Sequence, residues 1–378
     1  MADRIVLHIG TMKTGTSFVQ NVMVRNADAY ERAGYLYVAK DFSAQARATR
    51  KVLAAPNHPE RHGEWQALAQ EARAFQGETA IISMEFLSFA RPHQIAAYLA
   101  PFEGMEVRVI VSLRDQARVI PAQWQSYARL LGTDAWPTYL RRIDPQRQRG
   151  DDAQSHAART FWRAQSVVPM IERWGDHPGV SRLDVVTVPA PPAPDHVLWE
   201  RFCAAVGMPA DLADLSAYHG NTSLGYASCE VVRRLNPLLA GVPGHIYRPG
   251  LRPIVRDSLK PRKGIDGKPV LDAGAADFAL RSNAAIREAV AGLPLYGDLA
   301  DLPVAGNLAD APRRAPGPDR GLVHDAAVAM WERCAAEPGV GAGRRPRRLS
   351  RILADIARML PESEGWQEAV RTRGWTRS

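Results

Sequence analysis

Short runs of β-branched and apolar residues alternate with longer stretches of helical period along the first half of this 378-residue chain. The run Arg4-Ile5-Val6-Leu7 leads almost at once into a helical pattern over about residues 14–26. Gly34-Tyr35-Leu36-Tyr37-Val38 reads as an apolar, hairpin-like piece, with helical or mixed sequence continuing to Gln76. A strand over 78–84 ends at Glu85, and a helix follows near 93–99. Glu106–Leu113 is a second strong strand; it runs into Arg114-Asp115 and then a helix reaching 131. An amphipathic helix over 157–174 precedes a strand over 182–188. Four prolines between 189 and 194 mark a rigid exit from the sheet, and 196–206 is helical again. Apolar runs that alternate with helices in this way predict successive β–α units, and therefore a parallel sheet with right-handed crossovers.

The second half is less regular. Asn221-Thr222-Ser223-Leu224 offers an Asn or Thr N-cap to a helix continuing to Asn236. Beyond Asp310, Pro and Gly punctuate two helical pieces, 322–336 and 349–360. In the first of these, Ala326, Ala329, Met330 and Cys334 form an apolar stripe that predicts packing against the domain or a partner. The expected organisation is an α/β domain over 1–303 and a basic, helical C-terminal extension over 304–378.

Composition narrows the function classes. A chain of this length with 46% hydrophobic residues can bury a large core. Its formal net charge of +8 suits an anionic ligand. The densest basic run, Arg344-Arg345-Pro346-Arg347-Arg348, lies in a Gly/Pro-rich segment and on no evident recognition helix, so nucleic acid is not the expected partner. Cys203, Cys229 and Cys334 are odd in number and far apart, which predicts a reducing compartment, no disulfide framework and no zinc site. With no leader pattern and no long apolar window, the expectation is a cytoplasmic protein that meets any membrane-borne acceptor at the surface.

The most informative chemistry is His8-Ile9-Gly10-Thr11-Met12-Lys13-Thr14-Gly15-Thr16-Ser17, placed between a strand and a helix. Gly10 and Gly15 satisfy the glycine spacing of a Walker A loop, but Thr16 follows Gly15 where that loop has its lysine, and the lysine stands earlier, at Lys13. A lysine at the crest of the loop faces a group leaving a short phosphate chain, so the expected ligand is not ATP. Free amides and the positive end of the helix dipole attract an anion there. Arg114, at the end of the next strong strand, has the planar guanidinium that suits a second phosphate. Glu85, also at a strand end, is a candidate general base, with His58 and His62 as rivals.

Lys13-Thr14-Gly15-Thr16-Ser17 resembles the 5′-phosphosulfate loop of sulfotransferases that use 3′-phosphoadenosine 5′-phosphosulfate (PAPS), whose core reads Lys-[Ser/Thr]-Gly-Thr-[Ser/Thr]. The resemblance implies a P-loop-like three-layer fold, with a central parallel sheet flanked by helices. It implies that Thr11, Lys13, Thr14, Gly15, Thr16 and Ser17 hold the 5′-phosphate, and that Lys13 follows the bridging oxygen as sulfate leaves. By the same resemblance Arg114 reads the 3′-phosphate. The family's partner serine, eight residues on, is replaced by Ala122; Ser126, also eight residues after Arg118, is the substitute candidate. Glu85 resembles by position the glutamate base of family members that act on saccharides or protein tyrosine. Arg262-Lys263-Gly264 has the composition of the family's late loop over the 3′-phosphate. Asn221-Thr222-Ser223-Leu224 and Gly297-Asp298-Leu299-Ala300-Asp301-Leu302 occur in similar form in a bacterial branch, so the resemblance spans roughly 4–303. It implies in-line sulfuryl transfer without a metal, to a hydroxyl or amine of a saccharide, lipid or small natural product, with 3′-phosphoadenosine 5′-phosphate (PAP) as the product nucleotide. The alternatives are a P-loop kinase or NTPase, and a non-catalytic nucleotide- or nucleic-acid-binding protein.

Overall fold

A computed structural model describes residues 3–216 and 223–373. Six parallel strands form one sheet: β1 (Arg4–His8), β2 (Tyr35–Tyr37), β3 (Thr79–Ser83), β4 (Glu106–Leu113), β5 (Arg182–Thr187) and β6 (Leu295–Tyr296), in the spatial order β2-β3-β1-β4-β5-β6. The chain builds the β2 and β3 side of β1 first and then crosses to β4, so the strand order reverses around β1. Ligands of open α/β sheets bind outside the carboxyl ends of the strands at such a reversal.

The apolar alternation explains the layers. Ile5 and Leu7 face one way with Ile82, Val109 and Val111, and are covered by the helices Phe42–Ala54, Gly63–Ala74, Pro92–Leu99 and Val167–Gly175. Val6 faces the other way with Ile81 and Ile110, beneath the helices Thr16–Arg25 and Asp195–Val206. Parallel strands buried on both faces have apolar centres, as β1, β3 and β4 do, and the buried polar His8, Ser83 and Ser112 among them are joined by hydrogen bonds through His8.

Three local expectations change. The hairpin-like piece is β2, a parallel strand paired with β3, because the edge it finds belongs to a segment 40 residues and more further on. The helix expected over 157–174 is two helices, His156–Gln165 and Val167–Gly175. Pro169 has no N–H and its ring conflicts with the carbonyl of residue 165, so the first helix ends there. The helix after Arg114 ends at Ala128 instead of 131.

The chain divides into two compact units. The first, Met1–Val119, Trp162–Asn221 and Ala279–Gly306, contains the whole sheet; the second is Ile120–Phe161, Thr222–Phe278 and Asn307–Ser378. The residues expected as a separate extension from 304 onward thus fall, from Asn307, in the second unit. In that unit the helix Gly244–Ser258 packs on Glu364–Arg373 and Arg320–Ala335, and Tyr226–Leu235 packs on Arg320–Ala335 as well. Ala326, Met330 and Cys334 of the expected stripe are buried, while Ala329 is half-buried and Ala327 takes the inner position. Gly244–Ser258 escaped the sequence reading because Pro249 and Pro253 lie inside it. The capping positions Asn221 and Thr222 lie outside the described residues; the helix itself begins at Tyr226. All three cysteines are buried and free. Among the described residues no helix is long and apolar enough to cross a membrane.

The Gly297–Leu302 stretch secures the carboxyl end of β5. Asp301 accepts hydrogen bonds from Thr187 Oγ1 (2.7 Å) and the Ala190 amide (2.8 Å) and pairs with Arg201. Burial alone would raise its carboxyl pKa, but those partners outweigh burial and hold it below the ordinary range. A carboxyl with a depressed folded pKa contributes stability that is complete above the unfolded value of ~3.9 and is lost as pH falls through the folded value. Asp301→Asn should therefore be less stable than wild type at neutral pH, with the gap in denaturant midpoint narrowing below about pH 4. A gap that stays constant with pH would contradict this.

Candidate functional site

The loop after β1 leaves the sheet between its two neighbours. Met84 N–H donates to the His8 carbonyl (2.9 Å), and Ile9 N–H donates to Ile110 (2.9 Å). Beneath the loop, the fully buried His8 ring bridges β3 and β4, with Nδ1 2.7 Å from Ser83 Oγ and Nε2 2.7 Å from Ser112 Oγ. Burial lowers its pKa to about 3. The neutral ring has one N–H, so it donates to one serine and accepts from the other. Three strand ends are thereby tied together under the loop.

Lys13 and Gly15 both have left-handed backbone, φ 74° and 82°, with Thr14 between them outside that region. Alternation of this kind turns successive N–H groups to one side and makes an anion-binding concavity. The helix Thr16–Arg25 starts immediately afterwards, and no side chain caps it. Its first amides therefore lack intrahelical acceptors and point out of the helix end. Both glycines have a steric reason. A Cβ on Gly10 would stand 2.7 Å from Thr14 Oγ1 and 2.8 Å from Ser112 Cβ; one on Gly15 would stand 2.5 Å from Leu198 Cδ2.

Two side chains from elsewhere and one from the loop itself hold the loop's carbonyls. Arg114 Nη1 donates to the Lys13 carbonyl (2.9 Å), Gln165 Nε2 donates to that of Met12 (2.7 Å), and the Thr14 hydroxyl donates to Thr11 (2.6 Å). Three polar atoms here are buried without partners: Thr11 Oγ1, Arg114 Nε and Gln165 Oε1. Burial, followed by the charge of Arg118, lowers the Arg114 pKa to about 10, which leaves it cationic at neutral pH. Asp115 does not form an ion pair with Arg114; its carboxylate accepts from the Ala117 amide (3.0 Å) and from Asn283 Nδ2 (2.8 Å), which starts the helix Gln116–Ala128.

Glu85 opens the 3₁₀ turn Glu85–Phe89 directly after β3 and is 7% exposed. Gln20 Nε2 donates to its Oε2 (3.0 Å) and to the Ser83 carbonyl (2.9 Å). Gln20 sits on the helix whose first residue is Thr16, so one helix presents its N-terminus to the loop and a side chain to Glu85. The Tyr37 hydroxyl is held above its ordinary pKa by burial and, secondarily, by the Glu85 charge.

Lys13, Glu85 and Arg114 thus follow the carboxyl ends of three adjacent strands, β1, β3 and β4. Arg114 touches the loop, and Thr16 and Ser17 form the helix start. The rival histidines are built into the turn before the helix Gly63–Ala74: His58 pairs with Glu60 (3.0 Å), and His62 Nε2 donates to the Ala55 carbonyl (2.9 Å). Ala122 and Ser126, both half-buried, belong to the second unit, as does Arg262, which is occupied by Asp266 at 2.9 Å. Gln20 and Gln165 escaped the sequence reading, because an amide side chain inside a helix carries no local signal of what it reaches. A surface cavity of about 820 Å³ lies beside β2, but no candidate residue lines it and its Lys40 is paired with Glu31. No group of three or more His, Cys, Asp or Glu among the described residues is arranged to hold a metal ion.

No protein-family model matches this chain, and no curated protein or solved structure is significantly similar to it.

Proposed function

We propose that this protein is a PAPS-dependent sulfotransferase. The observation that carries the reading is the loop at the strand-order reversal, left-handed at Lys13 and Gly15, with Arg114 hydrogen-bonded to the Lys13 carbonyl. Its amides and the Thr16 and Ser17 hydroxyls would hold the 5′-phosphate, and Arg114, whose Nε is without a partner, would take the 3′-phosphate.

The acceptor oxygen or nitrogen attacks sulfur in line as the bond from sulfur to the 5′-phosphate oxygen breaks. Glu85 takes the acceptor's proton, and Lys13 stabilises charge on the departing oxygen. Positioning and electrostatics account for the rate, without a covalent enzyme intermediate.

Calorimetric titration with PAP and, separately, with ATP plus Mg²⁺ tests the donor assignment. PAP should bind much more tightly than ATP, and Arg114→Ala should cost about 2 kcal/mol, roughly 30-fold, the size of charge-assisted hydrogen bonds to phosphate. ATP-Mg²⁺ binding in preference to PAP would turn the reading toward a P-loop kinase or NTPase.

A further inference from the structure

We infer that the acceptor carries an anionic group, bound by Arg50 and Arg163 over the turn that begins with Glu85; the inference rests on the sulfotransferase reading of that site. The turn that begins with Glu85 also carries Phe86 and Phe89, whose ring centroids are 5.9 Å apart. Each ring is covered by a guanidinium from a different helix. Arg50 of Phe42–Ala54 stands 4.4 Å from the Phe86 centroid, and Arg163 of His156–Gln165 stands 5.0 Å from that of Phe89. Both arginines are exposed, and among the described residues neither has a carboxylate within ion-pair distance.

The helix that carries Arg163 also reaches the donor loop. Gln165, two residues beyond Arg163, donates to the Met12 carbonyl at the loop crest. Arg173 Nε donates to the Ala90 carbonyl (3.1 Å) and fixes the far end of the turn. A guanidinium lying on an aromatic face keeps its in-plane N–H edge free, and that edge matches a carboxylate, sulfate or phosphate in a bidentate arrangement. Stacking also restricts the arginine rotamers beforehand, so less entropy is lost when the anion binds. The nucleotide phosphates are already served by the loop and Arg114. These two unpaired cations, stacked on rings of the turn that the proton acceptor opens, therefore fall to the acceptor.

Glucose, glucuronate and glucose 6-phosphate share a ring and hydroxyls and differ at the sixth carbon, so their affinities isolate the charge. Each is titrated with and without saturating PAP into wild type and an Arg50→Ala/Arg163→Ala double variant. At least one anionic sugar should bind about tenfold or more tighter than glucose, and the preference should fall to within roughly twofold in the double variant while PAP affinity stays unchanged. Equal binding of all three sugars, or a preference that survives both substitutions, overturns the inference. If PAP does not bind while the charge preference holds and depends on the two arginines, the donor reading fails and the anion site stands.

Discussion

Lys13→Ala should lower the rate of sulfuryl transfer by about 10²–10³-fold, the loss seen when one preorganised partner of developing negative charge is removed. PAP affinity should fall much less. The asymmetry follows from the loop. On the proposed reading the 5′-phosphate would be held before reaction by amides, hydroxyls and a helix N-terminus, none of which belongs to the lysine side chain. Negative charge would build on the bridging oxygen only as its bond to sulfur breaks, and the ammonium would act at that moment. Lys13 also sits at φ 74°, a left-handed conformation that disfavours side chains. Lys13→Gly separates the two roles, because it relieves the backbone but supplies no charge, and it should be as slow as Lys13→Ala. Single-turnover transfer from labelled PAPS, alongside PAP titration, reads both quantities. An equal loss of rate and affinity would assign Lys13 to ground-state binding and remove it from the chemical step.

Gly15→Val should abolish useful donor binding. The residue has φ 82°, where a side chain costs about 1–2 kcal/mol, and its Cβ would lie 2.5 Å from Leu198 Cδ2. Crowding a packed contact adds roughly 1–3 kcal/mol. Leu198 belongs to the core layer over β1, together with Val19 and Phe202, so it cannot retreat without disturbing that layer. The loop yields instead, and an anion site made of aligned amides loses its alignment. PAP affinity should drop about 100-fold or more, equivalent to ~3 kcal/mol. Circular dichroism melting and PAP titration on the same sample check this. Unchanged PAP affinity in a folded Gly15→Val would show that the loop does not hold the nucleotide.

Much of the architecture could be read before any coordinates, and the residues show why. β1, β3, β4 and β5 have apolar, largely β-branched centres, interrupted in β4 and β5 by the paired Arg108 and Asp184, and strands buried on both faces favour that composition. Gly10 and Gly15 marked a strand-to-helix loop, and a Cβ on either would collide with Thr14 and Ser112 or with Leu198. Where the reading failed, one cause lay beyond the local window and one within it. Tyr35–Tyr37 looks the same whether it pairs in a hairpin or with β3. Pro169 breaks a periodic stretch only through its clash with a carbonyl four residues back.

The amino-acid sequence by itself determined the β–α alternation, the strand-to-helix loop with its displaced lysine, and the charged residues at the strand ends. Periodicity, turn chemistry and residue type act over a few neighbours and are written in order along the chain. The tertiary structure alone decided the strand order, the division into interleaved units, the placing of Gln165 and Arg114 against the loop carbonyls, and the stacking of Arg50 and Arg163 over the turn after Glu85. Arg114 and Lys13 are 101 residues apart, and their hydrogen bond exists because β1 and β4 are neighbours in the sheet. A hydrogen bond is selective at about 3 Å and leaves no trace in spacing along the chain, so only packing could bring those groups together.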